Sequence, residues 1–341
     1  MENKVVIALD AMGGDYAPVE TVKGAVEAVN ENKGMKVILV GREEEIKSEL
    51  AKYTYEEASI EIVNATEIID MGEVPTKAIR EKKDSSLVVA MKLVRDGKAD
   101  AIVSAGSTGA ILVGGQLVVG RIKGIKRPAL APFLPSKNGF SLLIDCGANV
   151  DARASHLVQF AKMGSIYMKN IEGIENPRVG IINIGAEDEK GNELVKSTIP
   201  LLRECKDINF IGSVESRDIP NGPADVLVCE AFVGNVLLKF FEGLGKMFMA
   251  EIKDTLKSSV KTKIGGALIY KPIKKTFKRY MADDKGGAPL LGLKGLVVKI
   301  HGNSKDTEVR SAIEQCRNFV KKDVTNQIIR TFVEEENKGE N

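Results

Sequence analysis

The hydrophobic pattern alternates between short, continuously apolar runs and longer segments with helical spacing. Residues 5–9 are apolar throughout and predict a buried strand of a parallel sheet. Residues 19–29 then show the 3.6-residue spacing of a helix that packs one face on that sheet. The same alternation continues to the apolar run at 226–229. It predicts an α/β fold with a largely parallel sheet covered by helices on both faces.

The remaining elements follow from the same pattern. Further strands are predicted at 37–40, 60–63, 101–104, 130–134, 142–145, 179–182 and 210–211, and further helices at 43–52 and 85–94. The polar stretch 70–83 fits either an active-site loop or a short helix. Neither an internal repeat nor a low-complexity linker interrupts the chain. We expect one α/β domain over residues 1–330 and a frayed acidic tail at 331–341.

The segment 241–285 differs from the rest in both pattern and charge. Apolar residues recur at helical spacing on either side of Gly265-Gly266, which interrupts the pattern. Residues 246–285 carry a charge of +7, whereas the whole chain carries +2. We predict an amphipathic helical hairpin with its tip at the glycines. Leu268, Ile269 and Phe277 would contact an anionic membrane, or the helices would pack on the core or on a second subunit.

Composition limits the classes of partner. The chain has 341 residues, of which 43% are hydrophobic and 28% charged, as in ordinary globular proteins. A net charge of +2, the lack of tryptophan and an aromatic content of 5% argue against a nucleic-acid-binding surface. A small basic cluster at 121–127 is either a solvated loop or a surface that docks an acidic protein.

Targeting signals and thiol chemistry are not indicated. The N-terminal residues do not have the pattern of a signal peptide, and no apolar run reaches the length of a membrane span. The four cysteines are far apart, and Cys146 and Cys229 lie in apolar runs where buried thiols are expected. We therefore expect a cytoplasmic protein.

The loop after the first predicted strand contains two acids and two adjacent glycines. Asp10, Gly13, Gly14 and Asp15 stand between the strand and the following helix. Glycines allow backbone angles closed to other residues and let a ligand approach the main chain. Ligands of open α/β sheets bind at the carboxyl ends of strands. The loop is therefore either one wall of a ligand site or a tight turn with solvated acids.

A second loop, residues 104–110, suits phosphate. Glycine-rich backbone at the start of a helix offers free N–H groups, and hydroxyls add donors. The candidates here are Ser104, Gly106, Ser107, Thr108 and Gly109. The alternative is a capped helix whose small residues permit close packing. Neither Gly-x-x-x-x-Gly-Lys-[Ser/Thr] nor Gly-x-Gly-x-x-Gly occurs, which argues against ATPase and dinucleotide-dehydrogenase activities.

Polar residues also follow the later strands. Asp145 and Asn149 come after one apolar run, and Glu187, Lys190 and Asn192 after another. Each one alone fits a cap or a turn. Lys190 is the best candidate for stabilising phosphate or a developing oxyanion, although it could instead be a surface lysine paired with nearby acids.

The sequence contains no pattern for a covalent nucleophile or a metal. Its two histidines, His156 and His301, are far apart, and neither Gly-x-Ser-x-Gly nor His-x-x-x-His occurs. His301 ends an apolar run, so it either lines the site or caps an element. We expect no cofactor, no metal, and catalysis by positioning and polarising two substrates.

Ordered motifs from residue 7 to about 319 resemble one enzyme family, the PlsX-type phosphate acyltransferases of bacterial phospholipid synthesis. Its motifs match here as Ala8-Leu9-Asp10-Ala11-Met12-Gly13-Gly14-Asp15-x-Ala17-Pro18, Val103-Ser104-Ala105-Gly106-Ser107-Thr108-Gly109-Ala110, Asp145-x-Gly147-Ala148-Asn149, Gln159-Phe160-Ala161-x-Met163-Gly164, Asn183-Ile184-Gly185-x-Glu187-x-x-Lys190-Gly191-Asn192, Gly234-Asn235-Val236-x-Leu238-Lys239, Gly286-Gly287-Ala288-Pro289-Leu290-Leu291-Gly292 and His301-Gly302-x-Ser304. The chain departs from the family pattern at Ser107, Ser216 and Glu230-Ala231, where the family usually has Asn, Gly and Asp-Gly.

The resemblance implies a three-layer α/β/α, isopropylmalate-dehydrogenase-like fold, related to phosphotransacetylases, with a protruding helical hairpin. It implies transfer of long-chain acyl groups from acyl carrier protein to inorganic phosphate, without a cofactor. It also implies a homodimer at the inner face of the cell membrane, where acyl phosphate passes to a membrane glycerol-phosphate acyltransferase. Lys190 would stabilise the oxyanion, Asp10 and Asn235 would orient groups around it, and Arg217 joins the substrate-binding candidates.

Two other functions remain open from the sequence. One is a phosphotransacetylase-like enzyme that uses short acyl-CoA, which would not need a basic hairpin for membrane contact. The other is a membrane-associated scaffold that binds lipid enzymes, which would not need the polar residues at the strand ends.

Overall fold

A computed structural model describes residues 4–278 and 285–339. The strands are β1 Val5–Asp10, β2 Met35–Gly41, β3 Ile60–Asn64, β4 Ala101–Ser104, β5 Ala129–Leu130, β6 Phe133–Ser136, β7 Gly139–Ile144, β8 Arg178–Asn183, β9 Asn209–Glu215, β10 Val226–Val228, β11 Ala288–Leu291 and β12 Leu296–Lys299. The helices are α1 Val19–Glu31, α2 Glu43–Leu50, α3 Pro75–Glu81, α4 Ser86–Arg95, α5 Thr108–Gly114, α6 Ala154–Ile171, α7 Glu193–Glu204, α8 Ala231–Lys257, α9 Val260–Lys278, α10 Asp306–Lys321 and α11 Val324–Gly339. The chain divides into two compact units. Unit 1 comprises Met1–Pro132, Lys162–Asn176 and Asp283–Asn341, and unit 2 comprises Phe133–Ala161 and Pro177–Ala282.

Unit 1 is built on a seven-stranded sheet in the order β3-β2-β1-β4-β12-β11-β5. Its first four neighbouring pairs are parallel, and the β12-β11 and β11-β5 pairs are antiparallel. Leu9 of β1 pairs with Leu39 on one side and with Val103 on the other, and all three are fully buried. This continuous apolar stretch is what a strand covered on both faces requires. The loops that follow β1, β4 and β12 therefore leave the same edge of the sheet.

Unit 2 is built on a five-stranded sheet in the order β6-β7-β10-β8-β9. Its β7-β10, β10-β8 and β8-β9 pairs are parallel, and only the edge pair β6-β7 is antiparallel. The central strand β10 is buried along its length. The loops that follow β7, β8 and β10 thus share one edge of this second sheet.

The division of the strands between two sheets corrects one prediction. The apolar run 130–134 is two strands, β5 in the first sheet and β6 in the second, with Pro132 between them. Proline lacks the N–H that a strand interior must donate, so it marks the point where the ladder ends. The polar stretch 70–83 contains the short helix α3, one of its two predicted alternatives.

The hairpin forms, but its corner is not at the glycines. Helix α8 ends at Lys257 and α9 begins at Val260, so Ser258 and Ser259 make the connection. The Ser259 amide donates to Thr262 Oγ1 at 3.0 Å, and the Thr262 amide donates to Ser259 Oγ at 3.1 Å. This reciprocal cap starts α9 before the glycines are reached.

Gly265 and Gly266 both lie inside α9, and Gly266 packs closely on the facing helix. A Cβ at Gly266 would lie 3.4 Å from Leu256 Cβ, so the glycine is in contact distance of the facing helix α8. A helix interior tolerates glycine at a cost of about 1 kcal/mol relative to alanine. The glycines interrupt the hydrophobic pattern but do not form the predicted turn. A close contact between two helices also favours a small residue.

Replacing Gly266 with alanine tests the position of the corner. We expect the variant to retain its helical circular dichroism and to be as stable as the parent or up to about 1 kcal/mol more stable, because the added methyl fits and alanine favours helix. Urea denaturation measures the difference. A large loss of stability would mean that the glycine has a backbone conformation closed to alanine, as a turn would require.

Helix α11 continues through 331–339, which we expected to be a frayed tail, and Phe332 in its middle is only 3% exposed. In the part of the chain that the structure describes, none of the helices is both long and apolar enough to span a bilayer. Of the predicted membrane residues, Phe277 has a side chain outside the described part.

Candidate active site

A buried hydrogen-bonded chain joins the ends of β1 and β4 in unit 1. Asp10, the last residue of β1, is 2% exposed. Ser104, the last residue of β4, donates from Oγ to Asp10 Oδ2 at 2.7 Å and accepts from the Gly106 amide at 3.0 Å. The chain fixes the loop after β4 against the carboxyl group of the neighbouring strand. Asp10, Ser104 and Gly106 are thus brought together as the sequence analysis predicted.

Gly13 and Gly14 are required by close approach in the same cluster. A Cβ at Gly13 would lie 2.5 Å from Asp10 Oδ2 and 2.9 Å from the Gly106 nitrogen, closer than real Cβ atoms come. Gly14 has φ of +102°, which disfavours other residues, and its Cβ would lie 2.9 Å from the Gly302 oxygen. The Asp15 amide donates to that same oxygen at 2.7 Å. Three loops, after β1, β4 and β12, therefore meet backbone to backbone.

The Asp10 carboxyl is an unusual group because burial raises its pKa above the ordinary value. Hydrogen bonding opposes this rise, from the hydroxyls of Ser86 and Ser104 and the amides of Met12 and Gly13. Within residues 4–278 and 285–339, Asp10 Oδ1 accepts no hydrogen bond of ordinary geometry. A buried carboxyl with one oxygen left over can retain a proton and hydrogen-bond to a ligand.

The raised pKa of Asp10 leads to a pH-dependent stability. Below the ordinary pKa of 3.8 the carboxyl is neutral in both folded and unfolded chains. As pH rises, the unfolded chain ionises first, so the parent loses stability until the pH passes the folded pKa. Asp10→Asn does not titrate, and we expect its stability relative to the parent to increase over this range. Urea denaturation from pH 4.5 upward measures this, and a difference that is constant with pH would contradict it.

Lys299, a residue that the sequence analysis did not select, lies in the same part of unit 1. It ends β12, where its Cα is paired with that of Ser104. Its ammonium donates to the Ala105 oxygen at 3.4 Å and also to the Ile300 oxygen. The signal in the sequence is a lysine that interrupts the apolar run 296–300, because a charge at a buried strand end needs a partner. Lys299 adds a cation beside the loop predicted to bind phosphate.

The rest of the predicted phosphate loop starts α5. Ser107 is 7% exposed at the residue before the helix, and Thr108 is exposed at its first position. Gly109 packs on α3, since its Cβ would lie 2.6 Å from Pro75 Cγ. His301 is exposed in the loop after β12, where its carbonyl accepts from the Ser304 amide at 3.1 Å. Hydroxyls, backbone and an imidazole therefore occur on neighbouring loops of unit 1.

In unit 2, Asp145 organises its own loop. The carboxylate, fully buried after β7, accepts from the Ala148 amide at 3.2 Å and the Asn149 amide at 2.8 Å. The Asn149 side chain also donates to it, at 2.7 Å. These contacts give Asp145 a structural role in shaping the loop, as an aspartate-stabilised turn does. The prediction that Asp145 and Asn149 bind substrate is not tested by these contacts.

The first turn of α8 rests on this loop. A Cβ at Gly234 would lie 2.0 Å from the backbone carbonyl oxygen of Asp145, so only glycine fits there. Glu230 caps the helix by accepting from the Phe232 amide at 2.5 Å and the Val233 amide at 3.0 Å. The departure from the family pattern at Glu230 thus keeps an acidic cap. Asn235, predicted to orient groups, is exposed at the position after Gly234.

Lys190 lies in the loop after β8 and is paired with an acid. Its ammonium is 2.9 Å from Glu187 Oε2, and both side chains are more than half exposed. The hydrogen bond from Lys190 lowers the pKa of Glu187. Asn183 holds the loop by donating to the Lys190 oxygen at 3.1 Å and accepting from the Ile184 amide at 2.8 Å. Lys190 is therefore an accessible cation on a backbone that Asn183 fixes.

Two other candidates of unit 2 have clear local roles. Asn192 caps α7 by accepting from the Val195 amide at 2.9 Å. Arg217 is ion-paired with Glu215 at 3.0 Å and its side chain is 76% exposed. The Asn192 contact matches the cap alternative that the sequence left open.

Thiol and metal chemistry find little support in the described residues. Cys146, Cys229 and Cys316 are buried, and burial raises the pKa of each thiol, to about 12 for Cys146. A thiolate nucleophile at these positions would be unfavourable at neutral pH. Within the described ranges, no three His, Cys, Asp or Glu side chains form a group able to hold a metal ion.

The fold is similar to that of solved phosphotransacetylases. A phosphotransacetylase from Streptococcus pyogenes matches with a TM-score of 0.64 at 18% identity, covering 94% of this chain and 95% of that one. The EutD phosphotransacetylase from Staphylococcus aureus matches with a TM-score of 0.58 at 18% identity, covering 92% and 94%. These likenesses confirm the predicted α/β fold and its relation to phosphotransacetylases.

Sequence comparison identifies the family. A phosphate acyltransferase of Clostridium novyi (strain NT) is 49% identical over 323 residues, covering 94% of this chain and 97% of that protein. A phosphate acyltransferase of Clostridium acetobutylicum is 47% identical over 331 residues, covering 97% and 99%. The family model described as "Fatty acid synthesis protein" matches residues 5–327. The resemblance seen in the motifs is thereby confirmed, and the chain belongs to this family of phosphate acyltransferases.

Proposed function

We propose that this enzyme transfers a long-chain acyl group from acyl carrier protein to inorganic phosphate. The acyl thioester and phosphate give acyl phosphate, for phospholipid synthesis, and the free carrier thiol. Membership of the phosphate acyltransferases supports the reaction type. The carrier protein and the chain length are our inference from the basic, apolar hairpin and from the family resemblance.

The observation that carries the phosphate assignment is the meeting of three loops in unit 1. Asp10, Ser104 and Gly106 form one hydrogen-bonded chain, and the backbone at Gly13 lies against it. Loop backbone at the carboxyl ends of parallel strands is suited to an anion. Lys299 adds positive charge next to this backbone. We therefore assign phosphate to the loops after β1 and β4.

The chemistry that we propose needs little from the protein beyond position and charge. A phosphate oxygen attacks the thioester carbonyl, and the carbonyl oxygen becomes an oxyanion. The carbonyl then re-forms as the carbon–sulfur bond breaks and the thiolate leaves. Holding phosphate near the carbonyl supplies a large part of the acceleration. Lys190 is our candidate for stabilising the oxyanion. A thiolate is a good leaving group, so a strong general acid is not required.

The substrate is tested by a direct comparison. The full-length enzyme is supplied with phosphate and either palmitoyl-acyl carrier protein or acetyl-CoA, and acyl phosphate is trapped with hydroxylamine. We expect turnover with the carrier-bound substrate at least 100 times that with acetyl-CoA. The reverse preference would favour the phosphotransacetylase-like alternative. Absence of phosphate-dependent thioester cleavage with either substrate would favour the scaffold.

We also propose that the hairpin contacts an anionic membrane surface. Val260, Ile264 and Leu268 of α9 are 73%, 61% and 79% exposed, and their four-residue spacing puts them on one face. Lys261 and Lys263 lie between the first two of these residues. Apolar side chains beside lysines are typical of helices that lie in the interface of an anionic bilayer.

Replacing Leu268 and Ile269 with glutamate is expected to release the protein from phosphatidylglycerol vesicles. Two apolar groups that would enter the lipid are lost, and two negative charges face the anionic lipid instead. Vesicle sedimentation measures binding, and the soluble assay should change less than twofold. As a control, Lys33→Glu with Lys98→Glu lowers the net charge further at exposed positions of unit 1. If this control releases the protein equally, or if the hairpin variant still sediments, the proposed membrane contact is wrong.

A homodimer is proposed from a second apolar stripe. Val236, Phe240 and Met247 of α8 are 51%, 67% and 50% exposed and recur at spacings of four and seven residues. Exposed apolar stripes of this kind mark interaction surfaces. Sedimentation equilibrium of the parent and of Phe240→Glu tests the proposal, and a monomeric parent would contradict it.

A further inference from the structure

Three apolar side chains are exposed where the chain leaves the sheet of unit 2. Val150 follows β7, Ile184 follows β8 and Phe232 follows β10, and they are 61%, 78% and 63% exposed. Because β10 lies between β7 and β8, these are three adjacent strand ends. Single exposed apolar residues are common, but several at one edge of a sheet indicate a binding surface.

A backbone hydrogen bond joins the two segments that carry Val150 and Phe232. The Ala231 amide donates to the Asn149 oxygen at 3.0 Å. Val150 and Phe232 are each the next residue along from one of these partners. The close packing of the first turn of α8 against the loop after β7 fixes this arrangement. Val150 and Phe232 therefore lie on a rigid edge, held by backbone contacts.

The register of the sheet brings the third side chain level with them. Ile181 of β8 pairs with Val228 of β10. Ile184 and Ala231 each come three residues later, so the two chains leave the sheet at the same height. Ile184 and the first residue of α8 thus leave neighbouring strands of the sheet at the same height.

The loop that carries Ile184 also carries the Lys190–Glu187 ion pair. A Cβ at Gly185 would lie 2.5 Å from Lys190 Cδ, so the lysine stem passes over the residue that follows Ile184. The ammonium at the end of that stem is 2.9 Å from Glu187. An apolar surface next to an accessible ammonium fits a ligand with a polar head and an aliphatic chain.

We propose that Val150, Ile184 and Phe232 form the surface on which the aliphatic chain of the acyl substrate lies. The inference rests on the proposed function, since it requires a long-chain thioester. The chain is favoured over other occupants because the enzyme's reaction involves an acyl group and because this edge of the sheet also carries Lys190. These side chains then determine the preference for chain length, and each methylene that they cover is worth roughly fourfold in kcat/KM.

The test compares butyryl, octanoyl and palmitoyl thioesters of acyl carrier protein, with phosphate in excess. Ile184→Ser and Phe232→Ser are expected to lower the palmitoyl to butyryl ratio of kcat/KM at least tenfold. Leu201→Ser is the matched control, because Leu201 is a 40% exposed apolar residue on α7 of the same unit, and its ratio should not change. The conservative variant Ile184→Val should retain most of the parental ratio.

The possible outcomes distinguish a failure of this proposal from a failure of the proposed function. If the parent cleaves no thioester of any length with phosphate, the proposed function fails. If the parent is active and the serine variants lower kcat/KM equally for all three substrates, or for none of them, the acyl chain does not lie on this surface. Sedimentation equilibrium of each variant is run alongside. A change from dimer to monomer would mean that a second copy of the chain covers these residues, which would also overturn the proposal.

Discussion

Replacing Gly13 with alanine is expected to lower kcat/KM for phosphate at least 100-fold. The new Cβ would lie 2.5 Å from Asp10 Oδ2 and 2.9 Å from the Gly106 nitrogen, so the loops after β1 and β4 must separate. Overpacking of this kind costs about 1–3 kcal/mol of stability, and a small displacement of binding groups costs more in rate than in folding. Steady-state kinetics over a range of phosphate concentrations and urea denaturation measure the two effects.

Gly34→Ala is the matched control for this variant. Gly34 also belongs to unit 1, but a Cβ there would meet nothing within 4 Å. We expect the control to have parental kinetics and a stability within about 0.5 kcal/mol of the parent. A Gly13→Ala enzyme with normal phosphate kinetics would remove this loop from the proposed phosphate site.

A double-mutant cycle shows whether the contact itself causes the effect. Asp10→Ala removes the oxygen that the new methyl would meet, so the stability costs of Gly13→Ala and Asp10→Ala should be non-additive. Simple additivity would place the cause of the Gly13 effect elsewhere.

Replacing Lys190 with alanine should have the second large effect. If Lys190 stabilises the oxyanion, we expect kcat to fall 100-fold to 1000-fold. Stability should change by less than about 1 kcal/mol, because the Lys190–Glu187 pair is exposed and such pairs contribute little. Single-turnover rates of acyl transfer and urea denaturation provide the measurements.

Two comparisons distinguish catalysis from the ion pair. Glu187→Gln breaks the same pair but leaves the ammonium, so it should retain far more activity than Lys190→Ala. Lys196→Ala removes an exposed lysine of the same unit and should be neutral. Equal losses in Lys190→Ala and Glu187→Gln would assign Lys190 a structural role, and near-normal transfer in Lys190→Ala would exclude it from the mechanism.

Local sequence was sufficient where one strand and its own loop determine the structure. The run at 5–9 became β1, and the polar residue that follows it, Asp10, lies at the strand end as expected. Ser104 likewise ends β4. Parallel strands bring their carboxyl ends to one edge of the sheet. The proximity of these two residues can therefore be predicted without knowing their side-chain contacts.

Sequence was insufficient where a contact distant in the chain decides. Gly266 interrupted the hydrophobic pattern, but its role is set by Leu256 on the facing helix. Lys299 was overlooked because its partner Ala105 is 194 positions away. Asn192 shows the reverse case, since a polar residue in a promising loop caps the helix that it starts.

The rate at which each cysteine reacts with an alkylating reagent reports on local opening of the folded chain. Cys146, Cys229 and Cys316 are buried, whereas Cys205 at the end of α7 is partly exposed. An alkylating reagent should therefore modify Cys205 first, and modify the other three only as the surrounding structure opens. Cys146 and Cys229 belong to unit 2 and Cys316 belongs to unit 1. Mass spectrometry of alkylated peptides over time would thus compare how often each unit opens, without any change to the sequence.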